Sequence, residues 1–166
     1  PYSKMNWDQD NGINYTYEFK GDEEDFEAAK IQLGKGNCLR EGKDVAIIAN
    51  GDTVCLAIKA AKELEAKGIS AKVLDMHTIK PLDKDIIVDA AKSTGAIVTA
   101  EEHSIVGGLG AAVCEALAET YPVPVLRVGV EDKFGKSGTV PALLEEYGLT
   151  AANIVKKAKA AIALKK

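Results

Sequence analysis

Short apolar runs that alternate with helical patterns constrain the fold of this chain more than any other feature. The runs lie at residues 45–50 (VAIIAN), 71–76 (AKVLDM), 96–100 (AIVTA) and 125–128 (VLRV). The first of them, residues 45–50, is apolar and branched, which is typical of a strand buried on both faces of a parallel sheet. Because right-handed crossovers place the intervening helices on both sides of such a sheet, the sequence predicts a three-layer, mostly parallel α/β fold.

Helical patterns follow each of these runs. Asp52 or Thr53 is placed to cap the first helix, and Gly68 to end it. Gly148 is placed to end a later helix, and Thr150 to cap the last one. The predicted helices are residues 51–67, 81–93, 111–120, 140–147 and 151–164.

A short edge strand is predicted before the first buried run. Residues 30–37 (KIQLGKGN) alternate in polarity, which favours a strand that is exposed on one side. We expect this strand to be antiparallel to its neighbour, and residues 39–44 (LREGKD) to form the turn that follows it.

The composition excludes several classes of function. The 166 residues, 46% hydrophobic and 28% charged, are typical of one soluble globular domain. Because the 21 basic residues are interleaved with 25 acidic ones, for a net charge of -4, no nucleic-acid partner is expected. No uncharged apolar run approaches the ~20 residues of a membrane span, so no membrane association is expected. The polar start also argues against a retained signal peptide.

The three cysteines, Cys38, Cys55 and Cys114, are predicted to be reduced and partly buried thiols. They are widely separated, form no CxxC pair and are odd in number, which favours a reducing compartment. We therefore expect a cytoplasmic protein. Only two histidines accompany the cysteines, so no zinc-ligand spacing is present.

Residues 1–28 are polar, lack periodicity and are predicted to be a linker or arm, with the folded domain at residues 29–166. Large aromatic side chains are unfavourable in water, so those of the arm should pack along this domain or, alternatively, on a neighbouring domain or subunit. Because the chain begins with Pro, we expect a trimmed piece of something larger. Six of the nine aromatic residues lie in the arm: Tyr2, Trp7, Tyr15, Tyr17, Phe19 and Phe26.

Residues 95–113 (GAIVTAEEHSIVGGLGAAV) are predicted to form a strand, a loop and a helix, and this is where we expect any site. Ligands and partners usually meet an α/β sheet at the carboxyl ends of its strands, where helix N-termini converge. His77 and His103 follow two predicted strands, which places both on that edge. A proton relay is one interpretation of the two histidines. A hydrogen-bonded structural or interface role is the interpretation that we favour.

Gly107, Gly108 and Gly110 form a GGLG turn rather than the GxGxxG of dinucleotide sites, so nucleotide binding is not favoured. The N-terminus of the following helix could hold an anion, but glycines also permit tight turns and close packing.

Residues 132–138 (DKFGKSG) are a second ambiguous segment. Lys133, Lys136 and Ser137 either grip a phosphate or lie in a solvated turn. No GxSxG elbow is present, and the chain is predicted to contain no self-sufficient active site.

Four segments occur in a distinctive order and spacing: residues 44–51 (DVAIIANG), 76–83 (MHTIKPLD), 97–113 (IVTAEEHSIVGGLGAAV) and 132–138. Together they resemble the C-terminal domain of transketolase, particularly the subunit that carries the carboxyl half in split bacterial enzymes. The resemblance covers about residues 31–162. Two sister families, 1-deoxyxylulose-5-phosphate synthase and the β subunits of 2-oxo acid dehydrogenases, are similar through weaker forms of the KPLD and GG segments.

This resemblance implies an enzyme that uses thiamine diphosphate to move a two-carbon ketol unit between sugar phosphates. In that family a GDG…N motif holds the diphosphate and its magnesium, and a preceding pyrimidine domain supplies the activating glutamate. This sequence has neither, so the resemblance assigns it no catalytic, cofactor-binding or metal residue. Thiamine diphosphate and magnesium are implied for the assembled enzyme only.

The resemblance also implies partners, which are the remaining transketolase domains or subunit and further copies of this chain in a homo-oligomer. We predict that the edge with the two histidines and the GGLG turn contacts the pyrimidine domain or the partner subunit. The alternatives are a regulatory module that binds a small anion at residues 107–111 or 133–138, and a scaffold piece that only self-associates.

Overall fold

Twelve helices and strands make up the part of the chain that the computed structural model describes, residues 5–8, 12–15 and 32–165. None of the helices there is both long and apolar enough to cross a membrane. The strands are β1 (Met5–Asp8), β2 (Gly12–Tyr15), β3 (Asn37–Arg40), β4 (Val45–Ala49), β5 (Ala71–Asp75), β6 (Ile97–Ser104) and β7 (Val125–Val130). The helices are α1 (Thr53–Glu65), α2 (Lys84–Thr94), α3 (Leu109–Ala118), α4 (Val140–Glu146) and α5 (Ala151–Ala163).

Strands β3 to β7 form one mixed sheet in the order β3-β5-β4-β6-β7. The four strands from β4 to β7 are parallel to one another, whereas β3 pairs antiparallel with β5 at one edge. The predicted sheet, mostly parallel with one antiparallel edge strand, is therefore confirmed.

Helices cover both faces of this sheet. Val45, Ile47 and Ala49 of β4 pack in a core with α1 and α5, and Ala46 and Ile48 pack in a second core with α2 and α3. Since successive side chains of a strand point to opposite faces, the whole of β4 is buried between the two helix layers. The three-layer prediction is confirmed.

The edge strand β3 lies later in the chain than the sequence predicts. It covers Asn37–Arg40 instead of residues 30–37, and it includes residues that are predicted to form a turn. The register shifts between Cys38, which pairs with Leu74, and Arg40, which pairs with Val73. Such a bulge breaks the alternation on which a strand prediction depends.

Strand β6 and helix α3 extend further towards each other than predicted. Strand β6 continues past Ala100 to Ser104, and α3 begins at Leu109. The pattern predicts a loop at Glu101 and Glu102 because carboxylates are rare inside strands. In the structure both glutamates interact with helix N-termini, as described below.

Residues 1–28 contain two short strands that the pattern does not predict. Strands β1 and β2 pair antiparallel, with Met5 opposite Tyr15. The side chains of this arm lie outside what the structure describes, so the predicted packing of its aromatic residues stays a prediction.

The three cysteines are free thiols. Cys55 and Cys114 are half-buried, as predicted. Cys38 is exposed because it lies on the edge strand, which corrects the expectation of partial burial.

Candidate functional site

The carboxyl ends of β4, β5 and β6 meet at one side of the sheet, which we call the carboxyl edge. The chain leaves these strands through residues 50–52, 76–83 and 105–108. His77, His103 and the GGLG turn at residues 107–110 therefore share this edge, as parallel strands require.

Glu101 is a buried carboxylate of β6 that caps the neighbouring helix α3. Its Oε2 accepts a hydrogen bond from the backbone N–H of Leu109 at 2.7 Å, and its Oε1 accepts one from Gly110 at 2.9 Å. The residue is only 1% exposed, and the two amides and the positive end of the helix dipole stabilise its charge. This cap explains how α3 begins without a polar N-cap side chain, since its N-cap residue is Gly108.

The same contacts argue against an anion site at the GGLG turn. A helix N-terminus binds anions through the free N–H groups of its first turn. The N–H groups of Leu109 and Gly110 already donate to Glu101. The protein thus supplies its own anion where a phosphate would otherwise bind.

Gly108 permits the close approach of Glu101, and Gly110 permits close packing against Thr99, because neither glycine carries a Cβ. A Cβ at Gly108 would lie 1.9 Å from Oε2 of Glu101, and one at Gly110 would lie 2.7 Å from Oγ1 of Thr99. Gly107 differs, because no atom lies within 4 Å of its Cβ position and only its φ of +76° favours glycine. This geometry favours the close-packing interpretation of the two buried glycines.

Glu102 extends towards the other face of the sheet and lies at the N-terminus of α1. A Cβ on Gly51 would lie 2.8 Å from its Oε1, and its carboxylate accepts a hydrogen bond from the backbone N–H of Asp52. Burial and the nearby charge of Asp52 raise the pKa of the Glu102 carboxyl. Adjacent glutamates of one strand therefore interact with helix N-termini on opposite faces.

The two histidines share the edge but do not form a pair. Strand β4 lies between β5, which precedes His77, and β6, which carries His103. His103 is exposed, whereas the His77 side chain is only 11% exposed and lies beside Asp75 and Gln32. The geometry favours a structural role for His77 over a proton relay to His103.

Residues 132–138 form an exposed turn that is held by α4 and the residue after it. The ammonium of Lys136 is bonded to the carboxylate of Glu146, and the hydroxyl of Tyr147 donates to the carbonyl oxygen of Phe134 at 2.9 Å. Every residue from 131 to 142 is exposed. This arrangement favours the solvated turn over a phosphate grip.

Glu101 and Glu102 are the site residues that sequence reasoning missed. A signal for Glu101 is present in the sequence, because no Ser, Thr, Asp or Asn occurs at residues 105–108 to cap α3. A helix that begins without a local cap needs an acceptor from elsewhere.

The fold and the edge together define a class, namely a three-layer α/β domain with a mixed sheet and a glycine turn closed by its own carboxylate. Residues 34–154 match the family model described as "Transketolase, C-terminal domain". The chain belongs to this family.

Similar proteins agree with this assignment. A "6-deoxy-6-sulfo-D-fructose transketolase subunit" from Clostridium sp. (strain MSTE9) is 50% identical over 134 residues, which are 81% of this chain and 42% of that relative. A 1-deoxy-D-xylulose-5-phosphate synthase from Heliobacterium modesticaldum is 44% identical over 81% of this chain and 21% of its own length. The chain thus spans less than half the length of these relatives.

A solved structure has the same fold. It is described as a split gene transketolase, an inactive beta4 tetramer, and it is 52% identical to this chain with a TM-score of 0.82. The match covers 86% of this chain and 47% of that one.

Proposed function

We propose that this chain is the carboxyl-terminal part of a transketolase and supports transfer of a two-carbon ketol unit between sugar phosphates. It does so by packing against the other domains. The supporting observation is that 81% of the chain is 50% identical to a subunit of a transketolase and accounts for only 42% of that subunit.

Thiamine diphosphate and magnesium, in this proposal, bind to the rest of the assembled enzyme. The residues of this chain do not fit a diphosphate at the α3 N-terminus, because Glu101 accepts the hydrogen bonds of Leu109 and Gly110. Within residues 32–165, no group of three or more His, Cys, Asp or Glu side chains is arranged to hold a metal ion.

The carboxyl edge is the surface that we propose for contact with the preceding domain or partner subunit. It carries three exposed apolar side chains, Leu33, Ile79 and Val106, which are 76%, 37% and 65% exposed. Exposed Glu102 and His103 lie on the same edge and add polar groups. Several exposed apolar side chains on one edge, accompanied by polar groups, are typical of a domain interface.

Self-association and a cytoplasmic location belong to the same proposal. A relative that is 52% identical is described as a tetramer, which supports a homo-oligomer of this chain. The free thiols Cys38, Cys55 and Cys114 are compatible with a reducing compartment.

Reconstitution tests the proposed function. The chain is mixed with a protein that carries the thiamine-binding remainder of a transketolase, and ketol transfer between sugar phosphates is followed. We expect no turnover by either component alone and turnover by the mixture. Turnover by this chain alone, or none by a mixture that forms a complex, would contradict the proposal.

A matched pair of variants tests the contact surface. Val106→Lys places a charge on the carboxyl edge and should weaken complex formation in sedimentation or calorimetry. Leu164→Lys is the control, because Leu164 is 55% exposed but lies beside Gly95 and Pro124 at the opposite side of the sheet. Equal binding by both variants would show that the contact lies elsewhere.

A second candidate is the C-terminal domain of a 1-deoxy-D-xylulose-5-phosphate synthase, since one such enzyme is 44% identical to this chain. The two candidates differ in the partner that should restore activity. Formation of 1-deoxy-D-xylulose 5-phosphate with a synthase remainder, and no ketol transfer with a transketolase remainder, would favour the synthase.

A further inference from the structure

Residues 32–36, which we call the connector, lie against the loop formed by residues 76–83. The N–H of Gly34 donates to Oγ1 of Thr78 at 3.1 Å, and the N–H of Gly36 donates to Oδ2 of Asp83 at 3.1 Å. The ammonium of Lys35 lies 3.6 Å from Oδ1 of the same Asp83. The connector is therefore held largely by polar contacts to one loop.

His77 contacts Gln32, the first residue of the connector. Its Nε2 lies 3.0 Å from the carbonyl oxygen of Gln32. A carbonyl oxygen only accepts hydrogen bonds, so Nε2 must carry the proton. The other ring nitrogen, Nδ1, then carries a hydrogen only when the imidazole is protonated.

The Nδ1 atom of His77 faces a buried carboxylate. It lies 3.7 Å from Oδ2 of Asp75, and the two side chains are 11% and 13% exposed. Nδ1 is buried and has no hydrogen-bond partner among the described residues. A protonated imidazole would form an ion pair with Asp75, whereas a neutral one would turn its lone pair towards a negative charge.

No other described group near Asp75 and His77 supplies a positive charge that could take the place of the proton between them. Asn37 of β3 lies opposite Asp75 in the ladder, and its buried Nδ2 has no partner among the described residues. Lys35 of the connector is paired with Asp83 of the loop, and Lys80 of the loop is exposed. In the turn that follows β4, the charged residue is Asp52. Its side chain is exposed, and its backbone N–H donates to Glu102.

We propose that a proton shared by Asp75 and His77 controls the docking of the connector, which is held on residues 76–83 when the proton is present and loosened when it leaves to solvent. The idea rests on the proposed function in one respect: the connector would then join this domain to the preceding one. Loss of the proton would free the two domains to move relative to each other.

The sign of the pH dependence follows from the buried carboxylate. Burial raises the pKa of the Asp75 carboxyl, and the charge of His77 opposes this rise. A raised native pKa means that the docked state binds the proton more tightly than the loosened state does. Docking should therefore weaken as pH rises from the ordinary value of 3.8 for an aspartate through the raised pKa of the Asp75 carboxyl.

Hydrogen exchange of the 166-residue chain tests the proposal. We expect protection of the Gly34 and Gly36 amides, corrected for intrinsic rate, to fall at least about tenfold between pH 4 and pH 8.5. The Ala46 amide, which donates to Ala96 in the buried sheet, is the internal control and should show no such fall. Protection of the connector amides that does not change with pH would overturn the proposal.

Two variants test whether this proton, and not another ionisable group, causes the pH dependence of amide protection. Asp75→Asn removes the buried charge, and His77→Gln keeps a hydrogen-bond donor for the carbonyl oxygen of Gln32 but has no imidazole ring to face Asp75. Each should retain the protection of Gly34 and Gly36 and lose its pH dependence. A wild-type pH dependence in either variant, or loss of protection at every pH in both, would overturn the proposal.

Failure of this inference can be told apart from failure of the proposed function. The exchange measurement needs no partner and no turnover, so a reconstitution that fails leaves its result unchanged. Conversely, the mixture could show turnover while hydrogen exchange of the connector amides does not depend on pH. That result would support the proposed function and reject control of docking by the proton.

Discussion

Glu101 and Gly108 are so close that the glycine position has no room for another carbon atom, because a Cβ there would lie 1.9 Å from Oε2 of Glu101 and 2.8 Å from its Cδ. The backbone of Gly108 itself is extended, with φ of -94°, which any residue can adopt. Glycine is required here by the carboxylate and not by the backbone conformation.

Gly108→Ala should therefore lower the free energy of unfolding by about 2–4 kcal/mol, because the methyl group displaces the carboxylate from Leu109 and Gly110. Urea unfolding followed by circular dichroism measures the loss. Gly107→Ala is the control: it introduces only backbone strain, of about 1 kcal/mol.

A double-mutant cycle separates the lost cap from simple crowding. In a Glu101→Ala background the carboxylate is already absent and only the contact with the backbone oxygen of Ser104, 2.9 Å from the Cβ position, remains. Gly108→Ala should therefore cost less there than in the wild type. Equal costs in the two backgrounds would contradict the role of Glu101 as the cap.

Glu102→Gln should reduce the pH dependence of stability. Because the carboxyl pKa of Glu102 is raised in the folded state, folding takes up a proton, and stability decreases as pH rises from its ordinary value of 4.5 through the raised one. The variant cannot titrate and should lose less stability over that interval. Unfolding free energies from pH 4 to pH 8 check this, and parallel curves for the two proteins would rule it out.

Gly42→Ala should be among the most destabilising single-methyl changes in this chain. A Cβ at Gly42 would lie 2.2 Å from the backbone C of Ala71 and the backbone N of Lys72, and backbone atoms cannot move aside as a flexible side chain can. We expect a loss of about 3 kcal/mol or more in urea unfolding. Gly135→Ala, with open space around its Cβ position, should change stability by no more than about 0.5 kcal/mol.

Thr53→Val should lower stability by about 1–3 kcal/mol, because a buried hydroxyl between two strand ends is lost. Oγ1 of Thr53 lies 2.6 Å from the carbonyl oxygen of Asn50 and 2.8 Å from that of Ala100, so it joins the start of α1 to β6. Thr53→Ser keeps the hydroxyl and should retain most of the stability. Thermal unfolding of the two variants compares them, and identical melting temperatures would refute the argument.

The buried strands could be predicted from sequence because their environment is uniform. Strand β4 is apolar throughout and contacts helices on both faces, so hydrophobicity alone identifies it. The predicted helix boundary at Gly68 was also close, since the N–H of Gly68 donates to the carbonyl oxygen of Glu65 at the helix end.

The structure of the carboxyl edge could not be predicted in the same way, because it depends on contacts between residues that are distant in the sequence. Asp52 is the N-cap of α1 but makes no side-chain capping bond, and Thr53 bonds to carbonyl oxygens instead. Likewise Glu101 caps a helix that begins eight residues later in the chain. Local propensity does not identify such pairs, and only the hydrogen bonds of the folded chain do.

The position of Leu164 and Lys165 matters for experiments in which a label or a surface tether is attached to this protein. Leu164 and Lys165 lie beside Gly95 and Pro124, where β6 and β7 begin, and Lys165 is bonded to the carbonyl oxygen of Asp44 just before β4. A fluorophore or surface tether added after α5 would thus point away from the loops that leave the opposite ends of these strands. Immobilising the protein through that helix should leave those loops accessible to an incoming polypeptide.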